Sequence, residues 1–181
     1  SPSGIDVGYL ETLKRSGLTH IELGSDSFSD TVLEAYAKNF SYADILKTSR
    51  AAFEAGIPVA QYLIFGGPGE TAGTIKETFA RAREHRLSVF FSSLGMRIYP
   101  GTEMARIARA GSAGKKTGCG VAPEFYFAPG LDGKLIERIM REESGGAANW
   151  VMPGDEVKNG KAMRRLRELG KKGPLWEYLC R

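Results

Sequence analysis

The chain has 181 residues, a formal net charge of +4, and 42% hydrophobic and 25% charged residues. This length allows one hydrophobic core, and the composition is typical of a globular protein rather than a disordered or fibrous one. No run reaches the ~20 apolar residues that a membrane-spanning helix needs, and no signal-peptide pattern opens the chain, so we expect a cytoplasmic location.

The cysteines and histidines do not indicate a metal site. Cys119 and Cys180 have no CxxC spacing, and His20 and His85 are far apart in the sequence. Metal ligands usually occur in closely spaced pairs, so we interpret these four residues as structural or surface residues.

Predicted helices and strands alternate from the first residues onward. A helix with Val7, Leu10 and Leu13 on one face ends at Gly17, and a strand over 19–24 follows. Two more helices are predicted before the next strand, the first begun by Ser29 or Asp30. Their inward positions are Val32, Leu33, Tyr36, Ile45, Leu46, Ser49, Ala52 and Phe53.

Two apolar runs then predict buried strands. The first covers 58–65 and leads into the sequence GGPGET, and the second covers 87–100. Between them Thr71 or Thr74 can begin a helix. Strands that are apolar without alternation, and that are separated by helices, are typical of a parallel sheet buried on both faces. We predict three parallel strands in sequential order, with the first strand at an open edge that a second copy or the C-terminal segment covers.

The pattern changes after about residue 105. Phe125, Tyr126 and Phe127 form an aromatic segment that either roofs the sheet or fills core, and a helix is predicted around Ile136. Residues 145–156 read as a loop. A final helix over about 158–169 precedes Trp176 and Leu179, which we expect to dock on the core.

That last helix is basic, which raises the question of a polyanionic partner. No aromatic residues interleave the cations, so a solvated helix face is favoured over nucleic-acid binding. The cations of the region are Lys158, Lys161, Arg164, Arg165, Arg167, Lys171 and Lys172.

Three motifs in order carry a family resemblance. GLTHIELGSDSFSDTVL, GIPVAQYLIFGGPGET and LGMRIYPGTEMARIA resemble the fourth, fifth and sixth strands of a radical S-adenosylmethionine (SAM) barrel, as in the Elongator catalytic subunit, coproporphyrinogen oxidase and cobalamin-binding radical enzymes. The resemblance implies an α/β fold, a partial TIM-type (β/α) barrel. Residues 1–110 would be the C-terminal half of that barrel, and residues 111–181 a helical and irregular extension packed on it.

The resemblance also implies cofactors. In such enzymes a CxxxCxxC loop holds a four-iron four-sulfur (4Fe-4S) cluster that reductively cleaves SAM to a 5′-deoxyadenosyl radical, and some members bind cobalamin. This sequence has no CxxxCxxC, so we expect it to lack the cluster and to be inactive alone. The alternative is a non-catalytic α/β binding or interaction domain that docks a partner through its open sheet edge or its basic C-terminal helix. The expected partners are a small-molecule cofactor and a second copy of the chain at the open sheet edge.

Candidate SAM-binding residues follow the first strand. Glu22, Gly24 and Asp26 lie near its carboxyl end, where barrel sites are built. The resemblance implies that Asp26 contacts SAM and that Lys38 pairs with the SAM carboxylate. Alternatively, Asp26 is a turn or capping residue and Lys38 a solvated side chain.

The turn after the second strand holds further candidates. Gly66, Gly67 and Pro68 would let the backbone approach the adenine ring, whereas Glu70 is expected to cap the next helix. Tyr62 occupies a position where some relatives carry an Asp for the ribose, or it packs in the core.

Arg97 and Tyr99 are candidates at the end of the third strand. An inward-facing Arg97 inside an apolar run would suit a carboxylate or phosphate, whereas an outward-facing one would be a surface charge.

Overall fold

The computed structural model describes residues 2–111, 123–173 and 175–180, so Cys119 lies outside the described residues. In chain order the elements are α1 (Val7–Arg15), β1 (Ile21–Asp26), α2 (Asp30–Ala35), α3 (Tyr42–Glu54), β2 (Val59–Phe65), α4 (Ala72–Ala82), β3 (Ser88–Leu94), β4 (Met96–Arg97), α5 (Glu103–Gly111), β5 (Phe125–Tyr126), α6 (Gly133–Ser144), β6 (Trp150–Val151), α7 (Glu156–Glu168) and a final 3-10 helix (Trp176–Leu179). None of the described helices is long and apolar enough to cross a membrane.

The helix boundaries follow local signals in the sequence. The side chain of Asp6 caps α1, and Thr71 caps α4 in a reciprocal arrangement with Thr74. Gly17 and Gly56 follow α1 and α3 with φ values of 104° and 65°, which the predicted stops require. The predicted helices over this part of the chain are therefore confirmed.

The main sheet is parallel, with strand order β1-β2-β3-β6. The sequential parallel order of the first three strands is confirmed, although β1 begins two residues later than predicted. The prediction of only three strands was wrong, because Trp150 and Val151 pair with Phe90 and Phe91 at the far edge. Two residues inside a predicted loop carry too little periodicity to signal a strand, and tertiary pairing decides it.

The apolar run over 87–100 was predicted as one strand and is broken at Gly95. This residue has a φ of 72°, and its N–H donates to the carbonyl of Phe65 over 2.7 Å. A Cβ at this position would approach Phe127 to 2.9 Å, so only glycine fits. The chain leaves the main sheet here and forms β4, which pairs antiparallel with β5 in a separate two-stranded sheet.

One face of the main sheet packs against helices, and the main core lies between them. Its large buried side chains include Phe28, Phe65 and Phe90, and α4 packs on α6 beside them. Trp150 stacks on Phe79 and Phe90 with ring centroids 4.1 and 4.5 Å away. The short β6 is thus held by aromatic packing as well as by the pairing of its two residues with β3.

The opposite face of the sheet is covered only in part. Trp176 in the final 3-10 helix packs on Ala60 and Val89, as the predicted docking of this segment required. Leu179 joins the same cluster at its margin. We call this side of the sheet the second face.

The described cations of α7 and of the segment after it are exposed to solvent, in agreement with a solvated helix face, and the side chain of Lys158 lies outside the described part. Met163 and Leu166 are half-buried, and Leu169 beyond the helix end is 67% exposed. The exposed cations are Lys161, Arg164, Arg165, Arg167, Lys171 and Lys172.

Candidate functional site

Asp26 ends β1 and is the centre of a tight turn. Its φ is 59°, and the N–H of Ser27 donates to the carbonyl of Ser25 over 2.7 Å. The β1–β2 register shifts between Leu23 and Asp26. A non-glycine residue with such a φ costs roughly 1–2 kcal/mol, and strain of this kind often marks functional positions. Because the Asp26 side chain remains 17% exposed, its carboxylate is available at the carboxyl end of the sheet.

Lys38 reaches Asp26 from the end of α2. The left-handed residue Ala37 (φ 54°) follows two residues after the helix end, and the N–H of Lys38 donates to the carbonyl of Leu33 over 3.0 Å. This terminal turn reverses the chain. Lys38 then forms an ion pair with the Asp26 carboxylate while 28% of its side chain stays exposed. The structure therefore brings the two predicted residues together as a pair of opposite charges.

The glycines after β2 are packed against the chain's own side chains. A Cβ on Gly66 would approach Ile136 to 2.8 Å, and one on Gly67 would clash with the Tyr36 hydroxyl. That hydroxyl donates to the carbonyl of Ile64 over 3.3 Å. Burial, and then the nearby Glu70, hold the pKa of Tyr36 well above its usual range. The two glycines thus leave room for the Tyr36 ring and for the side chains of Ile136 and Phe127.

The buried side chain of Glu70 stabilises this turn. It is 3% exposed and accepts a hydrogen bond from the Gly66 N–H over 2.8 Å. Burial raises the pKa of its carboxyl to about 7, although the Gly66 N–H and the Thr74 hydroxyl act in the opposite direction. The expectation that Glu70 caps α4 was wrong, because Thr71 holds that position and Glu70 binds back to the strand end.

Glu22 and Tyr62 lie on the second face, Glu22 near the amino end of β1 and Tyr62 in the middle of β2, rather than at the carboxyl ends. The Tyr62 hydroxyl donates to Glu22 over 3.2 Å, and the indole N–H of Trp176 donates to the other carboxylate oxygen over 3.1 Å. Tyr62 stacks on Phe91 with centroids 5.1 Å apart and is 40% exposed. Gly24 has open space where a side chain would stand.

Arg97 does not belong with these residues. It is exposed on β4, and its guanidinium lies 4.9 Å from the ring of Tyr99, which is 52% exposed. After the bend at Gly95, Arg97 lies on β4 outside the main sheet, so the structure does not group it with Asp26 and Lys38. Pro68 follows Gly67 in the turn and is half-buried.

Two contacts at the site could not be read from the sequence. Trp176 lies 154 positions after Glu22, and Tyr36 fills the space against Gly67 from another element. No local pattern signals either contact, although the large aromatic Trp176 next to an apolar residue indicated that its segment is docked.

Comparisons with known proteins show which family and which relative the chain resembles. Residues 1–82 match the family model of the radical SAM superfamily. The tryptophan 2-C-methyltransferase of Streptomyces laurentii is 29% identical over 111 residues, which cover 58% of this chain and 18% of the relative. Over residues 1–82 the chain is therefore similar to the radical SAM superfamily.

Solved structures agree in fold. The radical SAM methyltransferase TsrM of Kitasatospora setae, with cobalamin and a [4Fe-4S] cluster bound, aligns with a TM-score of 0.80 at 20% identity and covers 99% of this chain and 41% of that one. A second TsrM structure, with tryptophan and the SAM analogue aza-SAM bound, gives 0.62 at 18% identity over 94% and 45%. Elp3 of Methanocaldococcus infernus gives 0.53 at 20% identity over 61% and 26%.

At these identities the structures show a shared fold. The chain spans less than half the length of each of these relatives. The α/β architecture with a parallel sheet is thus that of the radical SAM barrel proteins.

The residues present fit one of the cofactors that this fold implies. The amino-acid end of SAM carries an ammonium and a carboxylate, and Asp26 and Lys38 offer the complementary charges on partly exposed side chains. The cluster does not fit, because the CxxxCxxC loop supplies three thiolates and the whole chain has two cysteines. Of these only Cys180 is described, and burial raises the pKa of its thiol to about 11.

Proposed function

We propose that this chain contributes the surface that binds the amino-acid end of SAM in a radical SAM enzyme. The observation that carries the proposal is the Asp26–Lys38 pair at the carboxyl end of β1, inside the region that matches the superfamily. For the whole protein we propose a SAM-dependent methyl transfer with cobalamin as second cofactor, which is supported by the names of the methyltransferase relatives.

The two charged residues have separate roles in this proposal. Lys38 binds the carboxylate of SAM, and Asp26 binds its ammonium or a ribose hydroxyl. The two side chains form an ion pair with each other in the structure. SAM therefore binds to two charged groups that are already oriented. When bound, SAM supplies the sulfonium whose reductive cleavage is the chemistry of this superfamily.

Two side chains fix the end of β2 and the turn that follows it, close to the Asp26–Lys38 pair. Glu70 binds Gly66, and Tyr36 binds Ile64, so the end of β2 next to Asp26 is held by two side chains from outside the strand. We assign these residues the role of fixing the backbone of the site rather than of touching SAM.

The test is a titration of the isotope-labelled chain with SAM, followed by NMR up to millimolar concentration. We expect shifts centred on the amides of Asp26, Ser27 and Lys38. Removing one charged hydrogen bond by Lys38→Ala should weaken the affinity roughly tenfold.

Lys47 supplies the matched control, since it is an exposed lysine on α3. Lys47→Ala should bind SAM like the unaltered chain. An affinity that is equal in both variants, or shifts that centre elsewhere, would refute the assignment.

A further inference from the structure

The second face brings together side chains from four separate elements. Glu22 comes from β1, Tyr62 from β2, Phe91 from β3 and Trp176 from the final 3-10 helix. The paired register of Tyr62 with Phe91, and of Glu22 with Ala60 two residues before Tyr62, fixes them all on one side of the sheet. Only the tertiary fold produces this grouping.

The carboxylate of Glu22 is held by two hydrogen bonds and can accept more. One oxygen accepts from the Tyr62 hydroxyl and the other from the Trp176 indole N–H, at 3.2 and 3.1 Å. Each carboxylate oxygen can accept about two hydrogen bonds, so both can accept another donor. The side chain is exposed, which leaves its negative charge accessible to a cation.

Flat apolar surface lies directly beside this charge. Tyr62 and Phe91 are stacked within 15° of parallel, and Tyr62 keeps 40% of its surface exposed. His20 contacts the Trp176 ring edge-on at 5.5 Å. A carboxylate bordered by aromatic rings is suited to a ligand that is itself planar and carries a positive charge.

The charge of Glu22 disfavours an anion at this place. The side chains that hydrogen-bond Glu22 among the described residues are a phenol and an indole, and neither brings a positive charge to the group. A ligand that carries a carboxylate would be repelled by Glu22.

We propose that the second face binds a planar aromatic amine, with the ammonium on Glu22 and the ring on the Tyr62–Phe91 stack. Trp176 is a positioning residue that holds the carboxylate in place from the C-terminal segment. The inference rests on the proposed function in one respect, since it assigns this ligand class to the substrate of that enzyme.

This site differs from the Asp26–Lys38 pair in the face of the sheet on which it lies. Asp26 is in register with Leu63, whose side chain packs in the main core, whereas the neighbouring Tyr62 points to the second face. Because the two places are neighbours in the sheet, variants at each of them distinguish the two sites.

The experiment is calorimetric titration of the full chain with tryptamine and, separately, with indole-3-propionate. These two probes share the indole ring and have side chains of opposite charge. We expect tryptamine to bind and indole-3-propionate to bind at least tenfold more weakly. Equal affinity for the two probes, or no tryptamine binding at millimolar concentration, would overturn the proposal.

Variants locate the binding. Glu22→Gln keeps an acceptor for Trp176 while it removes the charge, and should weaken tryptamine at least fivefold. Tyr62→Phe should keep most of the affinity and Tyr62→Leu should lose it, because only the first keeps the stacked ring. Glu34→Gln, an exposed carboxylate on α2, is the control and should change nothing.

The two proposals fail in different ways. Lys38→Ala should weaken SAM and leave tryptamine unchanged, whereas Glu22→Gln should do the reverse. If Glu22→Gln binds tryptamine like the unaltered chain, the second-face site is refuted while the SAM site stands. If SAM binding fails but tryptamine responds as expected, the proposed function is refuted and the second-face site remains.

Discussion

Glu70 is a buried carboxylic acid whose proton is held by the fold. Its pKa is raised by burial from the ordinary 4.5 to about 7, so the folded chain binds the proton more tightly than the unfolded chain does. The stabilisation is complete below about pH 4.5 and is lost as the pH rises through 7. At about 1.4 kcal/mol per pKa unit, its full size is roughly 3 kcal/mol.

Glu70→Gln tests this at the level of one residue. Between pH 5 and 8 the unaltered chain should lose roughly 2–3 kcal/mol of unfolding free energy from this group, and the variant should not. Urea unfolding at several pH values measures the difference between the two proteins.

The comparison cancels the contribution of His85, a second buried group that titrates. Burial lowers the pKa of His85 to about 4, so its contribution is present above about pH 6.5 and is lost as the pH falls through 4. His85 is present in both proteins, and Glu34→Gln provides an exposed control. Parallel pH profiles for Glu70→Gln and the unaltered chain would contradict the assignment.

Two serines precede helices and differ in what their hydroxyls do. Ser41 begins α3 in a reciprocal arrangement, in which its side chain accepts from the N–H of Asp44 and the Asp44 carboxylate accepts from the N–H of Ser41 over 2.8 Å. Those Ser41 bonds lower the pKa of Asp44. Ser29 begins α2 without a side-chain bond, and its buried hydroxyl has no partner among the residues that the structure describes.

At the scale of the element, the two serines should respond differently to removal. Ser41→Ala should cost about 1 kcal/mol of unfolding free energy, the usual value of a lost helix cap. Ser29→Ala removes a buried group that is unsatisfied, so it should be neutral or stabilising by up to about 1 kcal/mol. Chemical denaturation of the two variants gives the comparison, and equal losses would show that the capping difference is wrong.

The sheet as a whole has an open side at β1. This strand pairs only with β2 within the described part of the chain, and exposed strand edges favour pairing with another chain. We predict that the chain forms a homodimer through the outer edge of β1.

Sedimentation at several protein concentrations measures that association. Hydrogen exchange at the same concentrations should show slower exchange of the outward-facing β1 amides as the dimer forms. A monomer at all concentrations, with rapidly exchanging β1 amides throughout, would refute the prediction.

The sequence alone determined most of the helices and the parallel order of β1 to β3, because these depend on local features, and three motifs carried the resemblance to the radical SAM superfamily. Glycine stops, capping residues and apolar runs act within a few residues of themselves. Asp26 and Lys38 could be identified as candidates because the resemblance to the radical SAM superfamily implies a SAM contact at each of the two positions.

Only the tertiary structure decided what those side chains contact. The bend at Gly95 moved Arg97 off the sheet, β6 formed by pairing with a distant strand, and Tyr36 took the space beside Gly67. Glu22 acquired Trp176 as a partner from the far end of the chain. Such contacts depend on which surfaces meet after folding, and local sequence patterns hold no information about positions that far apart.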